Sequence, residues 1–97
     1  MEGECKIKAR KGLIKVRLRL NRSGVIENAT IAGDFFIYPE DALQDLERAV
    51  IGSQSIEEAS RKLREVFEKN RIESIGSSVD DFIKALECAY SVAARGR

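Results

Sequence analysis

Histidine and tryptophan are absent from the 97 residues, proline occurs once, cysteine twice, and aromatics make up 6% of the chain. Without histidine, the usual base for activating a serine or cysteine nucleophile is missing, which excludes Ser/His and Cys/His catalysis. A zinc site would have to rely on carboxylates, and Cys5 and Cys88 form no CxxC pair, so metal chemistry is not expected. The wide separation of the two cysteines predicts reduced thiols that are at least partly buried. No run approaches the roughly 20 apolar residues needed to span a bilayer, and Met1-Glu2-Gly3-Glu4 lacks the apolar core of a signal peptide. A cytoplasmic location and no membrane partner follow as the default. A glycine-rich phosphate loop is also missing: Gly33 stands alone, and Ile75-Gly76-Ser77-Ser78 holds a single glycine. Amides of that second segment could hold an anion at a helix start, or simply begin an ordinary capped helix.

What is present suffices for one folded domain over residues 1–97. Hydrophobic residues make up 43% of the chain and charged residues 34%, ample apolar material for a core and few breakers. The net charge of +1 is unevenly spread. Residues 1–23 carry eight Lys/Arg against two Glu, a net +6, while the remainder carries nine against fourteen, a net −5. Such polarity can steer association with a partner.

Alternation of Ile14, Val16, Leu18 and Leu20 with Lys15, Arg17 and Arg19 predicts a half-buried strand. Asn21-Arg22-Ser23-Gly24 supplies a turn into a returning strand over Val25–Ile31, and Cys5–Ala9 with the tight Arg10-Lys11-Gly12 link predicts an earlier antiparallel strand. After Pro39 the apolar period becomes helical. A first helix is predicted over about residues 39–51, with Pro39 in its first turn, Ala42, Leu43, Leu46, Ala49 and Val50 on one face, and Gly52 as its stop. Ser55 with Glu58, and Ser78 with Asp81, are spaced as capping boxes for two more amphipathic helices. Strands followed by helices predict an α+β fold, βββααα, with an antiparallel sheet of about three strands covered on one face.

Most carboxylates fall on polar helix faces at pairing distance from cations, as Glu57 with Arg61 and Glu65 with Lys69. Lys15, Arg17 and Arg19 share one strand face, with Lys6, Lys8, Arg10 and Lys11 nearby. That face reads as an ordinary solvated surface, as an interface for a protein or cofactor phosphate, or as a nucleic-acid surface. The last reading lacks the exposed aromatics on which bases stack, since no predicted strand before residue 33 contains one.

The aromatics gather instead at Gly33-Asp34-Phe35-Phe36-Ile37-Tyr38-Pro39-Glu40, three within four positions. In extended chain Phe35 and Ile37 lie on one side and Phe36 and Tyr38 on the other, so either both sides are buried between layers or one meets a partner. The stretch from Ile31 through Glu47, followed by Val50-Ile51-Gly52, resembles the accessory, C-terminal domain of lipoate-protein ligases. Lys11-Gly12-Leu13-Ile14-Lys15-Val16 is similar to that family's strand opening, and Ile75-Gly76-Ser77-Ser78-Val79-Asp80-Asp81-Phe82 to its last loop and helix start. The resemblance implies a fold similar to that of iron-sulfur scaffold and sulfur-acceptor proteins. Neither Cys5 nor Cys88 matches their motif cysteine, so their sulfur chemistry is not carried over.

It further implies a separate, non-catalytic small subunit that forms a heterodimer with a catalytic subunit. Together the two would convert lipoate and ATP, with Mg, into lipoyl-adenylate. The lipoyl group then passes to a lysine of a lipoyl carrier domain in a 2-oxoacid dehydrogenase complex or of the glycine cleavage H protein. No catalytic residue, metal or cofactor is assigned to this chain alone, and no nucleic acid is expected as a partner. Candidate contacts with the catalytic subunit are Lys15, Gly33, Asp34, Phe36 and Tyr38. A small basic-faced nucleic-acid-binding protein is the alternative, and a sulfur-transfer adaptor using Cys5 and Cys88 a more distant one.

Overall fold

Ile14, Val16, Leu18 and Leu20 are almost fully buried, and they form the inner face of the central strand of a three-stranded antiparallel sheet. In a computed structural model that describes residues 1–96, β1 (Glu2–Ala9), β2 (Gly12–Leu20) and β3 (Ile26–Gly33) follow in sequence order across this sheet. Cys5 lies opposite Val16 and Ile7 opposite Ile14, while on the other side of β2 Val16 faces Ile31 and Leu18 faces Ala29. The period of two therefore puts one apolar face inward and leaves Lys15, Arg17 and Arg19 on the outer face. Asn21 closes the second hairpin: its Oδ1 accepts hydrogen bonds from the amides of Ser23 at 2.8 Å and Val25 at 3.0 Å.

A short strand β4 (Phe36–Tyr38) precedes helices α1 (Ala42–Val50) and α2 (Ile56–Lys69); a second short strand, β5 (Glu73–Ile75), then leads into α3 (Val79–Arg95). The architecture is α+β, as the patterning predicted, with all three helices on the inner side of the sheet. α3 lies across β1 and β2, α1 against β3, and α2 against both helices. Ala85, Ala89 and Ala93 of α3 are buried, and a Cβ on Gly3 would collide with the Ala89 and Ala93 backbone. Small residues on both elements thus let strand and helix approach closely. Phe82 fills the centre, edge-on to Phe35 at 5.2 Å and tilted against Phe67 at 5.9 Å between ring centroids.

Several local expectations need correction. Cys5 and Cys88 are not free thiols but form a disulfide, with Cα atoms 5.8 Å apart. The chain separation of 83 residues concealed this contact, which exists only because α3 returns over β1. α1 begins at Ala42 rather than Pro39, because residues 36–38 stay extended to pair with β5. Ser55 accepts from the Glu58 amide at 3.1 Å, but the Glu58 carboxylate turns to Lys62 at 2.9 Å, so only half of that capping box forms. The box at Ser78 and Asp81 is complete. Arg61 pairs with Glu65 at 2.9 Å rather than with Glu57, and no Glu65–Lys69 pair forms among the described residues. Arg61 has carboxylates one turn away in both directions, Glu57 and Glu65, and spacing does not choose between them.

Candidate functional site

β4 and β5 form a two-stranded antiparallel ribbon in which Phe36 faces Ile75, Ile37 faces Ser74, and Tyr38 faces Glu73. The alternation expected within the aromatic cluster is present. Phe35 turns inward onto Phe82 and Ile37 is half-buried, whereas Phe36 is 76% exposed and Tyr38 69%. Ile75, 66% exposed, joins them from the opposite strand. Phe36, Tyr38 and Ile75 thus share one side of the ribbon, at the edge of an open groove of about 360 Å³ whose other walls include Ile37, Glu40 and Glu73. Large apolar side chains left in water as a cluster mark an interaction surface more strongly than the same residues scattered singly. Glu40 and Glu73 give the patch an acidic rim.

The other candidate contacts gather at a different place. Lys15, Gly33 and Asp34 line a shallower groove of about 240 Å³ with Lys6, Leu13 and Ala32, on the outer face of the sheet. Strands β2 and β3 are drawn tightly together at this end. The Asp34 amide donates to the Leu13 carbonyl at 2.9 Å, and a Cβ on Gly33 would run into that carbonyl and the Phe35 ring. The β1–β2 turn also reaches the start of α3, since the Lys11 amide donates to the Gly76 carbonyl at 2.9 Å. Gly76 has φ +84° and no room for a side chain beside Lys11. The five residues singled out from the sequence therefore fall into two neighbouring surfaces, with the partly buried Phe35 between them in the chain. Ile75 and Glu73 were missed. The two β-branched residues Ile72 and Ile75 between two predicted helices were the available signal.

The basic strand is largely neutralised within the chain. Arg17 reaches Glu2 at 2.8 Å, Arg19 reaches Glu27 at 3.3 Å, and Lys15 lies 4.0 Å from Glu4. These exposed pairs contribute little stability, but they remove the uninterrupted positive stripe that a phosphate backbone would track. The segment Gly76-Ser77-Ser78 also resolves to the plainer of its two readings. The Asp81 carboxylate accepts from the Ser78 amide at 2.9 Å, and Ser78 Oγ accepts from the Asp81 amide at 3.3 Å, so the chain's own side chains occupy the helix start. Hydrogen bonding to the Lys62 ammonium lowers the Glu58 carboxyl below its ordinary value.

Among the described residues, no three Cys, Asp or Glu side chains converge on a position that could hold a metal ion. Among the described residues no helix is long and apolar enough to cross a membrane. The site offers shape and apolar surface with an acidic rim.

The family model for the bacterial lipoate protein ligase C-terminus matches residues 3–86. Lipoate-protein ligase A subunit 2 from Thermoplasma acidophilum is 42% identical over 79 residues, covering 81% of each chain. A solved structure described as an archaeal lipoylation system, a bipartite lipoate protein ligase and its E2 lipoyl domain from the same organism, contains a chain with a matching fold. That chain is 38% identical, with a TM-score of 0.80 over 89% of this chain and 94% of its own.

Proposed function

The chain belongs to the bacterial lipoate protein ligase C-terminus family, and on that premise we propose that it is the small, non-catalytic subunit of a bipartite lipoate-protein ligase. The observation that carries this reading is the match along 81% of both chains to a Thermoplasma protein named as subunit 2 of its ligase. Its role is in the activation of lipoate by ATP to lipoyl-adenylate, before transfer to a lysine of a lipoyl carrier domain. ATP, Mg and lipoate are held by the catalytic subunit or by the assembled complex. The carrier belongs to a 2-oxoacid dehydrogenase complex or is the glycine cleavage H protein, and the assembly works in the cytoplasm.

A subunit without catalytic groups can raise an adenylation rate by closing over its partner's pocket. Closure excludes water, strengthens contacts to the triphosphate and holds mobile loops in a reactive geometry. The Phe36–Tyr38–Ile75 patch supplies the apolar anchor for such docking, and Lys15, Gly33 and Asp34 present a second surface beside it. Two features weigh against the alternatives. The arginines of β2 are paired with glutamates, which disfavours nucleic acid. Cys5 and Cys88 are bonded to each other, which disfavours sulfur transfer. The test is pyrophosphate release from ATP and lipoate by the catalytic subunit with and without this chain. Faster release on addition supports the role, and an unchanged rate refutes it.

A further inference from the structure

The two edges of the main sheet are treated differently. Along β3, the Glu47 carboxylate takes the Ile31 amide at 2.7 Å, and the Ser53 carbonyl takes the Ile26 amide at 3.0 Å, so α1 and its following loop cover that edge. Along β1 nothing comparable occurs. The Leu20 amide donates to the Met1 carbonyl at 2.7 Å and the Met1 amino group to the Leu20 carbonyl at 3.2 Å, which fixes the odd-numbered residues of β1 as those bonded to β2. The N–H and C=O groups of Glu2, Glu4, Lys6 and Lys8 then point away from the sheet. Among the described residues no hydrogen bond from another element reaches them. This is an open edge eight residues long and without proline.

Lysines on an edge ordinarily repel a second strand. Here Glu2 and Glu4 occupy one half and Lys6 and Lys8 the other, all exposed on the outer face. We propose that β1 is a self-complementary edge that pairs antiparallel with β1 of a second copy, joining two sheets into one of six strands. With the two-fold axis at Cys5, Glu2 stands opposite Lys8 of the second copy and Glu4 opposite Lys6 of the second copy, and each pair occurs twice. This register also brings outward-facing backbone groups opposite one another, as an antiparallel ladder requires. Shifting it by two residues either way puts Glu4 against Glu4 or Lys6 against Lys6. A one-residue shift misaligns the hydrogen bonds and turns each inner face outward. Within one chain Lys6 faces Lys15 on β2, and Glu4 lies 4.0 Å from Lys15; Glu4 of the second copy would give Lys6 a carboxylate of its own. Cys5 is committed inward to Cys88, so the contact is non-covalent. One strand pair is a small interface, and association is expected to depend on concentration.

The proposal does not rest on the ligase reading, and its first test needs only this chain. Sedimentation velocity over a concentration series should show a monomer–dimer equilibrium. Two charge-reversal variants, K6E/K8E and E2K/E4K, should each remain monomeric with unchanged circular dichroism, while their equimolar mixture should form a heterodimer. Lys6→Pro removes an outward-facing donor without touching the β1–β2 ladder, and should also abolish the dimer. A wild-type chain that stays monomeric throughout overturns the proposal, as does a dimer insensitive to these changes. Addition of the catalytic subunit distinguishes the other occupant: capture of wild type but not of K6E/K8E would assign the edge to that subunit and overturn self-pairing.

Discussion

Truncating Phe36 or Tyr38 to alanine should separate binding from folding. Phe36 is 76% exposed and Tyr38 69%, so neither substitution opens a cavity, and each should change stability by no more than about 0.5 kcal/mol. For a domain of this size that is a shift in melting temperature of a few degrees, about 4 °C at most. In the docking proposed above the same rings become buried anchors. Loss of an aromatic anchor at the centre of an interface costs about 2 kcal/mol or more, or roughly 30-fold in Kd. Phe82→Ala provides the opposite case. It removes a fully buried ring and should cost about 3–5 kcal/mol of stability. Calorimetric titration of each variant into the catalytic subunit, beside thermal melts of the free chains, reads both quantities. Wild-type affinity in both Phe36→Ala and Tyr38→Ala would refute the assignment of the ribbon as the docking surface. So would a loss of affinity that merely follows a collapse in melting temperature.

Reducing the Cys5–Cys88 disulfide should lower stability by about 4–5 kcal/mol on the chain-entropy model for a loop of this length. A melt with and without reductant checks this, and superimposable curves would contradict it. Gly76→Ala places a side chain at φ +84° against Lys11 and should cost roughly 1–3 kcal/mol; chemical denaturation measures it. In an NMR titration Glu58 should ionise below its ordinary value, and Lys62→Gln should raise its midpoint by removing the bonded ammonium. A depressed carboxylate stabilises the fold above its unfolded pKa and loses that contribution as the pH falls through the folded one. Acid sensitivity from this pair should therefore weaken in the Lys62 variant.

Periodicity made the large elements legible. Alternation in β2 placed Ile14, Val16, Leu18 and Leu20 in the core, and the serine caps located α2 and α3, because these signals depend only on neighbours in sequence. The same local rule correctly sent Phe36 and Tyr38 to the side opposite Phe35. Ile75 escaped it because β5 is three residues long and is a strand only through pairing with β4, far earlier in the chain. The disulfide escaped for the same reason, since Cys5 and Cys88 meet only when α3 lies on β1. The basic strand was read correctly as exposed, but Glu2, Glu4 and Glu27 temper its charge from neighbouring strands. Cross-strand partners become visible only once the register is known.

The most direct test of an adenylation role is lipoylation of a carrier domain by the catalytic subunit, run with and without this chain and started either from lipoate plus ATP or from pre-made lipoyl-adenylate. The proposed role predicts that the chain is required from lipoate and ATP and dispensable from the adenylate. An equal requirement from both starting points would contradict it and place the chain at the transfer step.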